Sequence, residues 1–224
     1  MNFRPEDQVA DRPRLAWLTV TLAGLVVPAI ALFTTHDPHA AGAVIAIGMM
    51  GTGMIAAAAA GRFAVGVLAA LPGGAGLVLL SRWLGLPALH DPDGVALAAI
   101  IASVSFAARG SLFARSASAR GWWIALAVVA GEAAVLLTAA AMPGAWPGWV
   151  LALLPAQWAT LALQAGLTGS GAHVAEAALL ALGGTAAATL LVARLWPRRW
   201  PYLIMFTTWL GLSALVWERW GAAL

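Results

Sequence analysis

The chain has no cysteine, and charged residues fill only 9% of its 224 positions. Without cysteine there are no disulfides, thiolate nucleophiles, thiolate-bound zinc sites or iron–sulfur clusters. Lysine is missing too, which excludes a Schiff base and with it retinal or pyridoxal chemistry. A soluble domain carries about 25% charged residues, so the scarcity of charge excludes a water-facing surface. What is present is apolar: 62% of residues are hydrophobic and the mean hydropathy is +0.88. All basic charge comes from twelve Arg, which explains a pI near 11.0 at a net charge of only +3. These Arg are dispersed near span ends, where they set topology, so no nucleic acid is expected as a partner. The four His (His36, His39, His90 and His173) also fall near span ends, unlike a mid-membrane haem pair, and no cofactor is expected.

A spanning helix needs roughly 20 apolar residues. By that measure the chain reads as an all-α, polytopic helical membrane protein with eight transmembrane helices, at 15–34, 41–60, 63–81, 94–108, 121–142, 149–166, 174–194 and 201–217. The continuous Ala, Leu, Val and Gly runs are helical, not the alternating strands of a membrane barrel. Residues 1–14 read as a cytoplasmic tail, 15–110 as a first four-helix repeat, 111–120 as a basic cytoplasmic linker and 121–224 as a second repeat. Shifting the chain by 110 residues lays Gly73-Gly74 on Gly183-Gly184 and Arg109 on Arg219, which suggests a parallel 4+4 repeat.

Charge distribution favours a variant of this map. Eight spans with both termini cytoplasmic put eight Arg inside and four outside. If 149–166 is re-entrant, giving seven spans, the ratio becomes ten to two. That segment is also interrupted by Pro155, Gln157 and Gln164. Ten of the twelve Trp sit at span ends as an aromatic belt, and only Trp158 and Trp209 lie deep. Heavy Ala and Arg usage suggests a bacterial inner membrane. Small residues (Gly53, Ala57 and Gly61 on span two; Ala127, Gly131, Ala134 and Thr138 on span five) suggest close helix packing, or contact with a second copy.

Glu132 stands out, eleven residues into an apolar run and near the bilayer midplane. A charge there costs about 2.5–3.5 kcal/mol on insertion scales. Low dielectric disfavours the ion, and a neutral Glu could trade a proton, as a proton-coupled carrier requires. Gln157, Thr160 and Gln164 share one helix face at a similar depth, and Thr207, Thr208 and Trp209 reach it on the last span. Together these residues suggest a polar pocket forming a substrate or proton path. The alternative is a protonated Glu132 acting only as a hydrogen bond between helices. Pro72, Gly73 and Gly74 suggest a broken third span, since Pro removes a helix hydrogen bond, and broken helices line transporter sites. His36, His39, His90 and Asp93, in two near-copies of His-Asp-Pro, could hold a divalent metal. Asp followed by Pro is more simply a helix start, with Asp as cap and Pro first in the helix.

The layout of the second half resembles the fusaric-acid-resistance, aromatic acid exporter-like membrane domain. A span begins at Arg120-Gly121-Trp122. A turn follows with Trp146 and Trp149, then a further span, and then a helix carrying Gly184-Thr185 before Arg194. In that family an Arg precedes the Gly-Thr; the matching position here is Ala181. The resemblance implies export of weak aromatic acids. Three function classes result. One is a carrier-like integral membrane protein for proton-coupled export of small amphiphilic or aromatic organic acids. Another is a non-catalytic accessory subunit of a larger membrane complex, with a membrane protein as partner and lipid, quinone or pigment on its surface. An intramembrane enzyme is disfavoured, because Ser103 and Ser105 have no base in view. The lipid bilayer is the constant partner in every case.

Overall fold

The computed structural model describes residues 14–34, 38–86 and 89–221. Among them the chain is all-helical, with no strand. The helices are α1 (Arg14–Thr34), α2 (Pro38–Ala60), α3 (Phe63–Trp83), α4 (Pro92–Ala117), α5 (Gly121–Ala141), the short α6 (Gly148–Ala152), α7 (Pro155–Thr168), α8 (Ala172–Arg194) and α9 (Trp200–Gly221). Six helical stretches are long and apolar enough to cross a membrane; one of them, Pro92–Ala141, holds both α4 and α5, joined through a 3-10 turn at Ser118–Arg120.

α2 is the axis of the bundle. Every residue from 41 to 58 is buried, which matches a helix that is apolar on all sides. It packs against α1, α3, α4, α5 and α7. Glycine makes this possible. A Cβ on Gly51 would stand 2.8 Å from the Ala23 carbonyl oxygen of α1, and one on Gly66 of α3 would stand 2.5 Å from the Gly53 carbonyl oxygen of α2. α1 carries a π-turn at Leu22–Val26, just before Pro28, where a helix must absorb a missing N–H.

The expected break in span three is not there. α3 runs unbroken through Pro72, whose ring lies on the exposed face. Gly73 and Gly74 are packing positions against Thr52 and Met49 of α2. The interrupted element is instead the segment expected as span six, which divides into α6 and α7 at Leu153–Leu154.

Helix directions follow from contacts. Arg109 of α4 reaches Thr185 of α8, and Arg115 reaches Ala193, so α4 and α8 run parallel. α3 and α4 are antiparallel, with Gly66 against Ala107. The helices carrying Gly73-Gly74 and Gly183-Gly184 therefore point in opposite directions, and a parallel repeat does not describe the bundle. α7 starts beside Glu132, in the middle of α5, and ends where the Asp91 N–H donates to the Gly166 carbonyl at 2.9 Å, at the start of α4. Residues 14 and 221 consequently lie at opposite ends of the bundle, not at one end as two cytoplasmic termini require.

Candidate functional site

The break between α6 and α7 comes from local sequence. Pro155 forces the preceding residue out of the helical region, and Leu154 is extended at φ −92° and ψ 119°. A helix end inside a bundle exposes backbone groups that hydrocarbon cannot satisfy, and here side chains do so. The Ala156 N–H donates to Glu132 Oε2 at 2.9 Å. Trp158 Nε1 donates to the Ala152 carbonyl at 2.8 Å, and Trp209 Nε1 donates to the Leu153 carbonyl at 3.1 Å. The two deep Trp thus hold the carbonyl side of the break, and the one deep carboxyl holds the amide side. A carboxylate at a helix N-terminus is also favoured by the helix dipole.

Beneath this break lies a cavity of about 440 Å³, within the size range of small-molecule sites. Val128 and Glu132 of α5 form one wall, and Met205, Phe206 and Trp209 of α9 the other. Arg109 of α4 and Thr185 and Thr189 of α8 lie behind, and Leu153–Pro155 cover it. The lining is apolar except for the cation, the carboxyl and the two hydroxyls.

The apolar run 94–108 suggests that Arg109 closes span four at the membrane surface. α4 instead continues eight residues beyond it, to Ala117, so Arg109 sits roughly 12 Å from that helix end at 1.5 Å per residue. Its Nη2 donates to Thr185 Oγ1 at 3.5 Å, while the Thr185 hydroxyl itself donates to the Ala181 carbonyl at 2.7 Å. Its Nη1 is buried without a hydrogen-bond partner. Arg109 and Glu132 attract one another across the cavity, yet no direct ion pair joins them. A cation with a free donor, opposite a carboxyl and surrounded by apolar walls, can take the anionic head of an amphiphile.

Only two of the seven residues expected in the polar path line this cavity, Glu132 and Trp209. Gln157 and Thr160 are buried but do not line it. The Thr160 carbonyl and Gln164 Cβ lie against Gly42 of α2 instead, because α7 leans on the central helix, and the Thr160 hydroxyl donates to the Ala156 carbonyl at 2.8 Å. Thr207 is on the exposed face of α9 and spends its hydroxyl on the Leu203 carbonyl at 2.8 Å. Thr208 faces Gly184 of α8. At the start of α4, Asp91 Oδ1 accepts from the Gly94 N–H at 3.0 Å with Pro92 in the first turn, which is a helix cap. Among the described residues no three His, Asp or Glu gather as metal ligands around His90 and Asp93. His36 and the His39 side chain lie outside the described residues. No known protein family, curated protein or solved structure matches this chain.

Proposed function

We propose that the chain is a carrier-like integral membrane protein that binds a small amphiphilic or aromatic organic acid between α4, α5, α8 and α9 and couples its movement to a proton on Glu132. The observation that carries this reading is the buried, unpartnered Nη1 of Arg109 in an apolar cavity shared with Glu132. A buried guanidinium donor without a partner is costly, and an incoming carboxylate supplies that partner in a charge-assisted contact. Glu132 competes with the same carboxylate for the field of Arg109. Protonating Glu132 removes that competition, so acid anion and proton bind together, as the two parts of a neutral acid.

Topology supports the reading. Arg14, Arg62, Arg115, Arg120, Arg194, Arg198 and Arg199 lie toward one end of the bundle, which the positive-inside rule assigns to the cytoplasm. Seven spans with a re-entrant α6–α7 then describe the chain better than eight, and a bacterial inner membrane fits this asymmetry. The layout likeness to aromatic acid exporters points the same way. Ala181 stands where that family has its Arg, and Arg109 brings a guanidinium to the neighbouring Thr185 from another helix.

The test is uptake of radiolabelled benzoate into proteoliposomes under an imposed pH gradient. Gradient-dependent uptake is expected, with loss in Glu132→Gln out of proportion to its small loss of thermal stability. A silent Glu132→Gln, together with stoichiometric co-purification of another membrane protein, establishes the accessory-subunit alternative instead.

A further inference from the structure

The walls of the cavity differ in what supports them. α5 packs on α2 and α4, while α9 packs on α8 and α6. They face each other across the cavity without being packing neighbours. Phe206 on the α9 wall is 52% exposed, Leu203 and Leu210 beside it more so, and on the α5 wall Gly131 is exposed and Glu132 half-buried. In a membrane this exposed apolar side meets lipid, and the gap between α5 and α9 opens onto it. The α6–α7 break closes one side of the cavity, and α4 and α8 close the back.

We infer that the cavity takes its ligand sideways from the bilayer through the gap between α5 and α9, and that this ligand is a membrane-dissolved, single-chain monocarboxylic acid. Its head meets Arg109 and its chain remains between Phe206 and the lipid. Three observations converge on that chemistry. Among the described residues that line the cavity there is one free cationic donor, Arg109 Nη1, which suits one acidic head and not a phosphodiester with a second polar arm. Apolar walls reach from that donor to an exposed edge. A half-buried carboxyl across the cavity from the donor, Glu132, can accept the proton that such an acid releases on binding. The inference rests on the function proposed above, and names the ligand class and route for the same site.

The experiment measures equilibrium binding of radiolabelled palmitate and benzoate to the full chain in lipid nanodiscs, with empty nanodiscs subtracted. Palmitate is expected to bind saturably and more tightly than benzoate, with about a tenfold loss in Arg109→Gln, the usual size of a lost charge-assisted contact. Val128→Trp keeps Arg109 and fills the gap from the α5 wall; it is expected to abolish palmitate binding while the protein stays folded. Should Arg109→Gln fail to fold, this second variant decides. Benzoate binding tightly and palmitate not at all, with Val128→Trp neutral, overturns the lateral route but leaves the carrier reading standing. If neither acid binds specifically, both fail.

Discussion

The two halves of this bundle solve the same solvent problem differently. Around α2, backbone lies on backbone: Gly24, Gly51, Gly53 and Gly66 bring helices together until no side chain fits between them. No charged residue occurs between Phe63 and Leu80, nor between Pro38 and Gly61 other than His39. Around the α6–α7 break, helices stand apart, a cavity remains, and the deep polar side chains Arg109, Glu132 and Trp209 collect there. A membrane helix must satisfy its backbone internally. Where the helices are whole, small residues suffice. Where one is broken, polar side chains are required, and space for a ligand comes with them.

Substitution at Gly51 tests the first region most severely. In Gly51→Leu the new side chain meets the Ala23 carbonyl and the Gly24 backbone, neither of which can rotate away. Overpacking of this kind costs about 3 kcal/mol. The expected result is failure to accumulate as a monodisperse species in detergent. Normal thermal stability would show that α1 and α2 are not in backbone contact.

Glu132 separates structural from functional demand in the second region. Glu132→Ala removes the acceptor of the Ala156 N–H and is expected to cost about 2 kcal/mol, the price of an orphaned buried donor. Glu132→Gln keeps an acceptor oxygen and is expected to cost well under half of that, while losing all proton-coupled flux. Equal destabilisation by both would make the charge itself, through Arg109 and the α7 dipole, the structural requirement. Trp209→Phe removes the bond to the Leu153 carbonyl together with one ring of the indole, and is expected to cost about 1 kcal/mol in thermal unfolding.

How much of this was legible in the sequence depended on what each inference measured. Glu132 and Trp209 were placed at one depth by counting residues, because rise per residue is fixed. Arg109 escapes this count because the apolar run ends there, followed by the turn-type residues Gly110 and Ser111, although Leu112, Phe113 and Ala114 carry the helix onward to Ala117. Pro72 does not break its helix, because its neighbours are continuous apolar sequence that holds a helix through one lost bond. Pro155 is the interruption on which the seven-span variant rests, and the segments on either side, short α6 and Gln-bearing α7, lack the length for a single span. Faces were the hardest. Gln157, Thr160 and Gln164 do share a face, but which neighbour it meets depends on the tilt of α7 against α2, and no periodicity within α7 records that.

The smallest expected effect bears on the surface that the two regions share with their surroundings. On α5, Ala127, Gly131 and Ala134 form a small-residue stripe that the sequence suggests is a packing face, yet all three are exposed in the single chain. A Cβ on Gly131 meets nothing within 4 Å, unlike Gly51. Gly131→Leu should therefore be neutral within about 0.5 kcal/mol, and the better helix propensity of Leu pushes toward slight stabilisation. Unfolding of this variant in detergent, measured beside Gly51→Leu, separates glycines that fit helices together from glycines that only face lipid. A large loss of stability at Gly131, in the protein purified from its native membrane, would mean that another helix covers the stripe there. That would carry the absence of side-chain clearance seen around α2 across to α5, and would close the very gap through which a ligand is proposed to pass.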